Sequence, residues 1–222
     1  MKLSIIVPTL NRADLLLESF ETLRGQPYQH LFIIDNGNQS LLDEAAGTLE
    51  RATLIRPGRN LGVSASWNLG LTEALKDESI THVLSINDDI VLHPDQVWRV
   101  TELIERHLEK WFFVGESLWS VWSISRYGVE VMSIRPNEVF DPSFWPAYCE
   151  DNDFHYRLNL INPSKLLHNC PALTPMIYRN SMTHEKTPVI NHERSERFYI
   201  KKWGGKPGHE VFTIPFNGQL TY

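Results

Sequence analysis

Apolar positions in the first ninety residues switch between two periods. Leu3 to Val7 is a short apolar run rich in branched side chains, too short for a helix, and reads as a buried strand. From Asp14 to Leu23, the residues Leu16, Phe20 and Leu23 recur at helical spacing with Glu18 and Glu21 facing outward, until Gly25 and Pro27 end the helix. The pattern then predicts a strand over Leu31 to Ile34, a short helix over Leu41 to Leu49 and a strand over Thr53 to Ile55. A helix with Val63, Trp67, Leu71 and Ala74 on one face follows, then a strand over Val83 to Ile86. Strand alternating with helix at this spacing means right-handed crossovers and a mostly parallel sheet, an α/β fold.

The remainder is less regular. A helix is expected over Gln96 to Leu108 behind Pro94, a strand over Phe112 to Val114, and a weakly alternating strand over Trp119 to Ile124. Asn152 to Ile161 reads as a helix with Phe154, Leu158 and Ile161 on one face, and Glu193 to Trp203 as a last helix. Trp67 and Trp98 fit helical core faces. These later elements are expected to form a smaller mixed region over one end of the sheet. No repeat, linker or low-complexity tract divides the 222 residues, so one domain over 1–222 is expected.

Charge narrows the function. Twenty-seven acidic against 21 basic residues leave a net charge of −6, which argues against nucleic acid as the main partner. Two cysteines, Cys149 and Cys170, make no disulfide framework and read as reduced thiols. The opening apolar run is too short for a signal peptide, and no window approaches the ~18–20 apolar residues of a spanning helix. A cytoplasmic protein without a transmembrane segment is expected.

In an open parallel sheet, ligands sit beyond the carboxyl ends of the strands. Here those ends carry Pro8-Thr9-Leu10-Asn11-Arg12, Asp35-Asn36-Gly37, Arg59-Asn60-Leu61-Gly62 and Asn87-Asp88-Asp89. Each cluster alone is also ordinary turn or capping chemistry; four in register favour a polar ligand. The adjacent carboxylates Asp88 and Asp89 repel one another unless a cation or solvent compensates them. A divalent ion holding phosphates and a solvated turn both remain open. A second acidic cluster, Glu150-Asp151-Asn152-Asp153, precedes the late helix. It reads either as helix capping or, with Phe144-Trp145-Pro146-Ala147-Tyr148 just ahead, as a sugar site where rings stack and acids take hydroxyls.

Taken in order, Ser4 to Arg12, Ile33 to Gly37, Arg59 to Gly62 with Asn68-Leu69-Gly70, Asn87-Asp88-Asp89, and Phe144 to Phe154 with Arg157-Leu158 resemble a family-2 inverting glycosyltransferase of the GT-A fold. The resemblance runs from residue 3 to about 158 and continues more weakly through Tyr199 to Gly205. It implies a nucleotide-sugar-binding half over 1–90 and an acceptor-side half over 91–222. It implies that Asn87-Asp88-Asp89 stands at the DXD motif, with Asp89 the metal ligand and Asp88 nearer the donor ribose. Asp35 would accept from the donor base, and Pro8, Thr9, Asn11, Arg12, Asn60 and Asn68 would join the donor pocket. Asp151 would be the general base beside Glu150, and His184, with His192 in reserve, would complete the metal shell. Trp119, Trp122 and Trp145 are the candidates for the acceptor pocket.

The sequence departs from the family where Asn87 replaces an acid and where the Gln-x-x-Arg-Trp pattern of processive synthases is missing, so transfer of one sugar is expected. The reaction is then Mn²⁺- or Mg²⁺-assisted transfer from a UDP-sugar to a hydroxyl acceptor. A helix N-terminus would lower the pKa of Asp151, opposed by the donor diphosphate and Glu150. Lys201, Lys202 and Lys206 read as a solvated basic tail in preference to a phosphate flap. The competing functions are a non-catalytic carbohydrate- or nucleotide-sugar-binding module and a sugar-nucleotide pyrophosphorylase. The second lacks its expected Gly-rich basic loop here, where Pro8 to Arg12 stands instead.

Overall fold

The computed structural model describes residues 1–219 except 48, 50, 117–118 and 180–191. The expected alternation is present: β1 (Leu3–Thr9), α1 (Ala13–Leu23), β2 (Leu31–Asp35), α2 (Leu41–Gly47), β3 (Ala52–Ile55), α3 (Gly62–Ala74) and β4 (His82–Ile86). There follow β5 (Ile90–Val91), α4 (Gln96–Arg106), β6 (Phe112–Val114), β7 (Val121–Ser125), α5 (Arg126–Met132), α6 (Glu150–Ile161), β8 (Leu166–Leu167), β9 (Ile177–Tyr178) and α7 (His192–Trp203). Among the described residues, seven strands form one sheet in the order β3-β2-β1-β4-β7-β6-β8. Only β7 runs antiparallel to both its neighbours. The parallel register of β1 with β2 sets Thr9 beside Asp35, so the polar strand ends share one edge.

Both faces of the sheet are buried, as helical crossovers require. Ile5, Val7 and Ile33 pack on one side with Leu16 and Phe20 of α1 and Val97, Val100 and Ile104 of α4. Ile6, Ile34 and Val83 pack on the other with Trp67 and Leu71 of α3 and Phe154 and Leu158 of α6. Gly70 lets α3 lie close to the sheet, since a Cβ there would come within 3.0 Å of Ile6.

Several expectations are corrected. The buried stripe of α4 is Val97, Val100 and Ile104, and Trp98, about 100° round the helix from Val97, is 56% exposed. Ile161 ends α6, where the chain turns away at Pro163, and is exposed. The acidic cluster lies inside the first turn of α6 rather than ahead of it. The strand expected from Trp119 begins at Val121, because Trp119 takes a left-handed φ of 59°. The short elements α5, β5, β8 and β9 carry too few residues for a periodic signal.

His82, 7% exposed at the amino end of β4, titrates abnormally. Burial, aided by the N-terminal ammonium, pushes its pKa from 6.5 down to about 4. Below its ordinary pKa the unfolded chain therefore binds a proton that the folded chain refuses. Stability is intact at neutral pH and is lost as pH falls from 6.5 towards 4, by up to about 3 kcal/mol from this group. Urea unfolding at neutral pH and at about pH 5 should show a smaller acid loss in His82→Gln than in the wild type; equal losses would contradict the assignment.

Candidate active site

The edge formed by the carboxyl ends of β1 to β4 is organised by side chains that bond to loop backbone. Asp35 ends β2 with no exposed surface. One of its oxygens accepts from Gly37 N and Gln39 Nε2, the other from Gln39 N and Arg56 Nε at 3.1 Å. All its acceptor positions are filled, so the expected contact of Asp35 with a donor base is not open in this structure; Asp35 shapes the 36–39 turn. Gln39, whose Oε1 accepts from Ala13 N at 2.6 Å, and Arg56, which also pairs with Asp43 at 2.7 Å, are rim residues that the sequence reading missed. Arg56 follows β3 directly, and that position was the available signal.

Asn36 extends the network. Its Oδ1 accepts from Leu61 N and its Nδ2 donates to Ser66 Oγ, while Asn60 Oδ1 caps Gly62 N at 2.8 Å. Gly62 has φ +78°, and an added Cβ would come within 2.7 Å of Pro146 O. Val63 N donates to that same carbonyl at 2.8 Å, and Trp145 Nε1 donates to Asn60 O at 3.2 Å. The segment just before α6 is thereby docked on the amino end of α3. Because α3 begins after the 56–61 loop that leaves the carboxyl end of β3, the segment leading into α6 is docked at the polar edge of the sheet.

Asp88 and Asp89 sit between β4 and β5. Leu10 N donates to Asp88 Oδ2 at 3.3 Å, the Thr9 hydroxyl bonds to the same carboxylate, and Arg179 N donates to Asp89 O. Burial foremost, together with the charge of Asp89, pushes Asp88 up to about 7. A second negative charge is thus disfavoured here until a cation arrives. Two adjacent carboxylates suit Mg²⁺ or Mn²⁺, which keep water and phosphate oxygens in their remaining positions. Among the described residues no group of three His, Cys, Asp or Glu side chains is placed to hold a metal ion, and His184 lies outside the described residues. The reserve histidine, His192, instead meets Tyr148 at 5.1 Å between ring centroids, and its charge acts on Asp151.

Glu150 and Asp151 open α6 after two left-handed residues, Tyr148 and Cys149. Glu150 is buried and its Oε2 has no hydrogen-bond partner among the described residues. Burial, with the neighbouring Asp151, raises the pKa of Glu150 well above the carboxylate range. Burial also raises Asp151, against the pull of the Asn152 N–H at 2.8 Å and of His192. Desolvation therefore outweighs the helix end that was expected to lower it. Cys149 is pushed up to about 12 by burial and its acidic neighbours, which leaves the thiol inert.

The other expected site residues divide. Pro8, Thr9, Asn11 and Arg12 stand at the end of β1. Asn11 is left-handed against Gly37, and the nearly buried Arg12 meets Asp14 at 3.3 Å. Trp145 is half-buried at the rim with Arg194 over its ring, 5.6 Å from the centroid. Asn68 does not reach the donor side: its Oδ1 accepts from Val139 N and Phe140 N and its Nδ2 donates to Phe140 O, stapling α3 to residues 139–140. Trp122 is fully buried between Trp67, Phe112 and Phe140, where no acceptor reaches it. Trp119 is half-buried in the same aromatic cluster.

Lys202 overturns the solvated-tail reading at its position. It is buried, with Nζ 2.7 Å from Asp141 and 2.6 Å from Asp153. Asp153 also accepts from Arg157 Nε at 2.9 Å and Trp203 Nε1 at 2.8 Å. This lattice ties α7 to the back of α6, opposite the face that carries Asp151.

The profile of glycosyl transferase family 2 matches residues 4–184. The galactofuranosyltransferase GlfT2 of Mycobacterium tuberculosis is 30% identical over 178 residues, covering 75% of this chain and 28% of that protein. The chain thus spans little more than a quarter of that relative's length. Among solved structures, the mannosyltransferase PcManGT from Pyrobaculum calidifontis, in complex with GDP-Man and Mn²⁺, has a TM-score of 0.56 at 13% identity over 76% of this chain and 56% of that one. Glucosyl-3-phosphoglycerate synthase from Mycobacterium tuberculosis, in complex with Mn²⁺, UDP and glucosyl-3-phosphoglycerate, has a TM-score of 0.56 at 13% identity over 75% of this chain and 68% of that one. At such identities the likeness is one of fold, and it agrees with the GT-A architecture expected from the sequence.

Removing one member of a buried ion lattice strands the others. Lys202→Met should lower unfolding stability by about 3–5 kcal/mol in urea titration. The charge-balanced pair Lys202→Met with Asp141→Asn should recover part of that loss. An unchanged single variant would show that the lattice is not holding α7 in place.

Proposed function

Because the chain belongs to glycosyl transferase family 2, we propose that it moves one sugar from a nucleotide-activated donor, a UDP-sugar, to a hydroxyl acceptor with inversion at the anomeric carbon. The observation that supports this reading is the docking of Trp145 and Pro146, just ahead of the Glu150–Asp151 pair, on the amino end of α3 at the edge where the carboxyl ends of the parallel strands and the Asp88–Asp89 turn lie. The solved relatives that hold GDP-Man with Mn²⁺ or UDP with Mn²⁺ support a nucleoside diphosphate and a divalent ion as the common part; uridine is our choice of base. On this reading residues 1–90 carry the donor and 91–222 the acceptor side of one domain. Among the described residues no helix is long and apolar enough to cross a membrane. We place the activity in the cytoplasm.

In the mechanism, Thr9, Asn11 and Arg12 line the donor side, and Asp89 with Asp88 would hold Mn²⁺ or Mg²⁺ against the diphosphate. When bound, the ion supplies Lewis-acid neutralisation of charge on the departing diphosphate. Asp151 takes the acceptor proton as the acceptor oxygen bonds to the anomeric carbon, while the bond from that carbon to the phosphate oxygen breaks and its electrons leave with the diphosphate. Attack from the face opposite the leaving group inverts the centre. Burial makes Asp151 a stronger base than an exposed aspartate. Glu150 is the more deeply buried of the two and burial raises its pKa well above its ordinary value, which supports Asp151 as the carboxylate of the pair.

That division of labour has distinct consequences. Asp151→Asn should lower kcat by about 10²–10⁴-fold with donor affinity unchanged in calorimetry. Glu150→Gln, an isostere of the protonated acid, should keep kcat within the same order of magnitude. Near wild-type turnover in Asp151→Asn would remove it as the base, and a collapse in Glu150→Gln would mean that Glu150 works as an anion.

Donor binding is checked separately by thermal shift, since a ligand of the folded state raises the melting temperature. UDP should raise it substantially with Mn²⁺ present and little without, and Asp89→Asn should erase the difference. Sugar binding that ignores both additions would favour a carbohydrate-binding module instead.

A further inference from the structure

Across the sheet from the acidic rim, at the amino end of β4, lies a second concavity of about 450 Å³. That volume falls within the roughly 300–1,000 Å³ of small-molecule sites. Its walls come from the amino end of β4, the turn after α4 and the start of α5. Six residue steps at about 3.3 Å separate His82 here from Asp88, roughly 20 Å along β4. No single sugar spans both places.

Three features point to a neutral ligand rich in hydroxyls. Trp111 and Tyr127 meet edge to face with centroids 5.3 Å apart, and Tyr127 is 57% exposed, so aromatic surface stands open beside the exposed Leu108. His82 lines the same hollow; its Nδ1 lies 3.2 Å from Thr81 Oγ1, while its buried Nε2 has no hydrogen-bond partner among the described residues. A buried polar atom left so is costly, and a ligand hydroxyl would satisfy it. The charges in the lining also balance. The lining holds two acids, Glu78 and Glu130, and two bases, Lys110 and Arg126, and Arg126 already donates to the carbonyls of Leu75, Asp77 and Ile80. Lys110 likewise donates to Ser164 O. His82 adds no charge near neutral pH. The balanced lining favours a neutral ligand over a phosphate or other anion, and carboxylates beside an exposed aromatic ring suit a sugar.

We propose that this hollow is a second carbohydrate site, holding one or two neutral sugar units of a glycan remote from the transfer rim. The C–H face of the sugar stacks on the exposed ring of Tyr127, which Trp111 backs edge to face with Lys165 over its own ring, and its hydroxyls bond to His82 Nε2 and to the carboxylates of Glu78 and Glu130. The proposal does not depend on the transfer reaction assigned above, because binding alone tests it.

Saturation-transfer NMR on the full chain with methyl α-D-mannopyranoside, maltose and lactose provides the test. At least one probe should give ring-proton signals. Tyr127→Ala, a change at an exposed position, should weaken that binding about tenfold, and His82→Gln should weaken it too. The melting-temperature rise with UDP and Mn²⁺ should be unaltered in Tyr127→Ala, which separates this site from the donor rim. Absence of signal from all three sugars, binding unchanged in Tyr127→Ala, or displacement of the sugar by UDP with Mn²⁺ would each overturn the proposal.

Discussion

The candidate base is held in place by a buried balance of charge on the far side of its own helix. Asp141 and Asp153 face Lys202, and Arg157 and Trp203 complete the coordination of Asp153. Two carboxylates and two cations cancel in a largely buried region, where any imbalance is expensive. Arg157 also donates to the carbonyls of Met132 and Val139, so the same cluster fixes the chain that leads into the 142–149 turn. One lattice therefore sets α6, α7 and the approach to the acidic pair.

The rim facing that helix follows the opposite principle. Behind α6 each charge is matched, whereas at the rim negative groups accumulate. Asp88 and Asp89 are adjacent, and burial raises both Glu150 and Asp151. A surface that concentrates carboxylates at the carboxyl edge of a parallel sheet is poised for a cation and for proton transfer. Asp35 shows the contrast within a few residues. It is more deeply buried than Asp88 or Asp151, yet Arg56 and three donors from Gly37 and Gln39 saturate it, and it serves the backbone instead.

Much of the donor half was legible in the chain. Strand runs such as Val83 to Ile86 and helical stripes such as Leu16, Phe20 and Leu23 appear within a residue or two of where the periodicity put them. The polar strand ends were legible for the same reason, because a parallel sheet has only one carboxyl edge. The acceptor half was harder. Its strands are two to five residues long, and β7 enters the sheet antiparallel between β4 and β6. Pairing of that kind is decided by distant partners and leaves little trace in local pattern.

Sequence alone determined the α/β class, the acidic turn after β4 and the acidic pair near the late helix, because periodicity and residue chemistry are local properties. Tertiary structure alone decided how each polar group is spent. Asn68 and Asp35 turned inward to backbone groups, Trp122 entered the core, and Lys202 left the solvent for two aspartates. The physical reason is that a side chain's role depends on whether its hydrogen-bonding capacity and charge are already met by neighbours far away in the chain, and those neighbours are assigned only on folding.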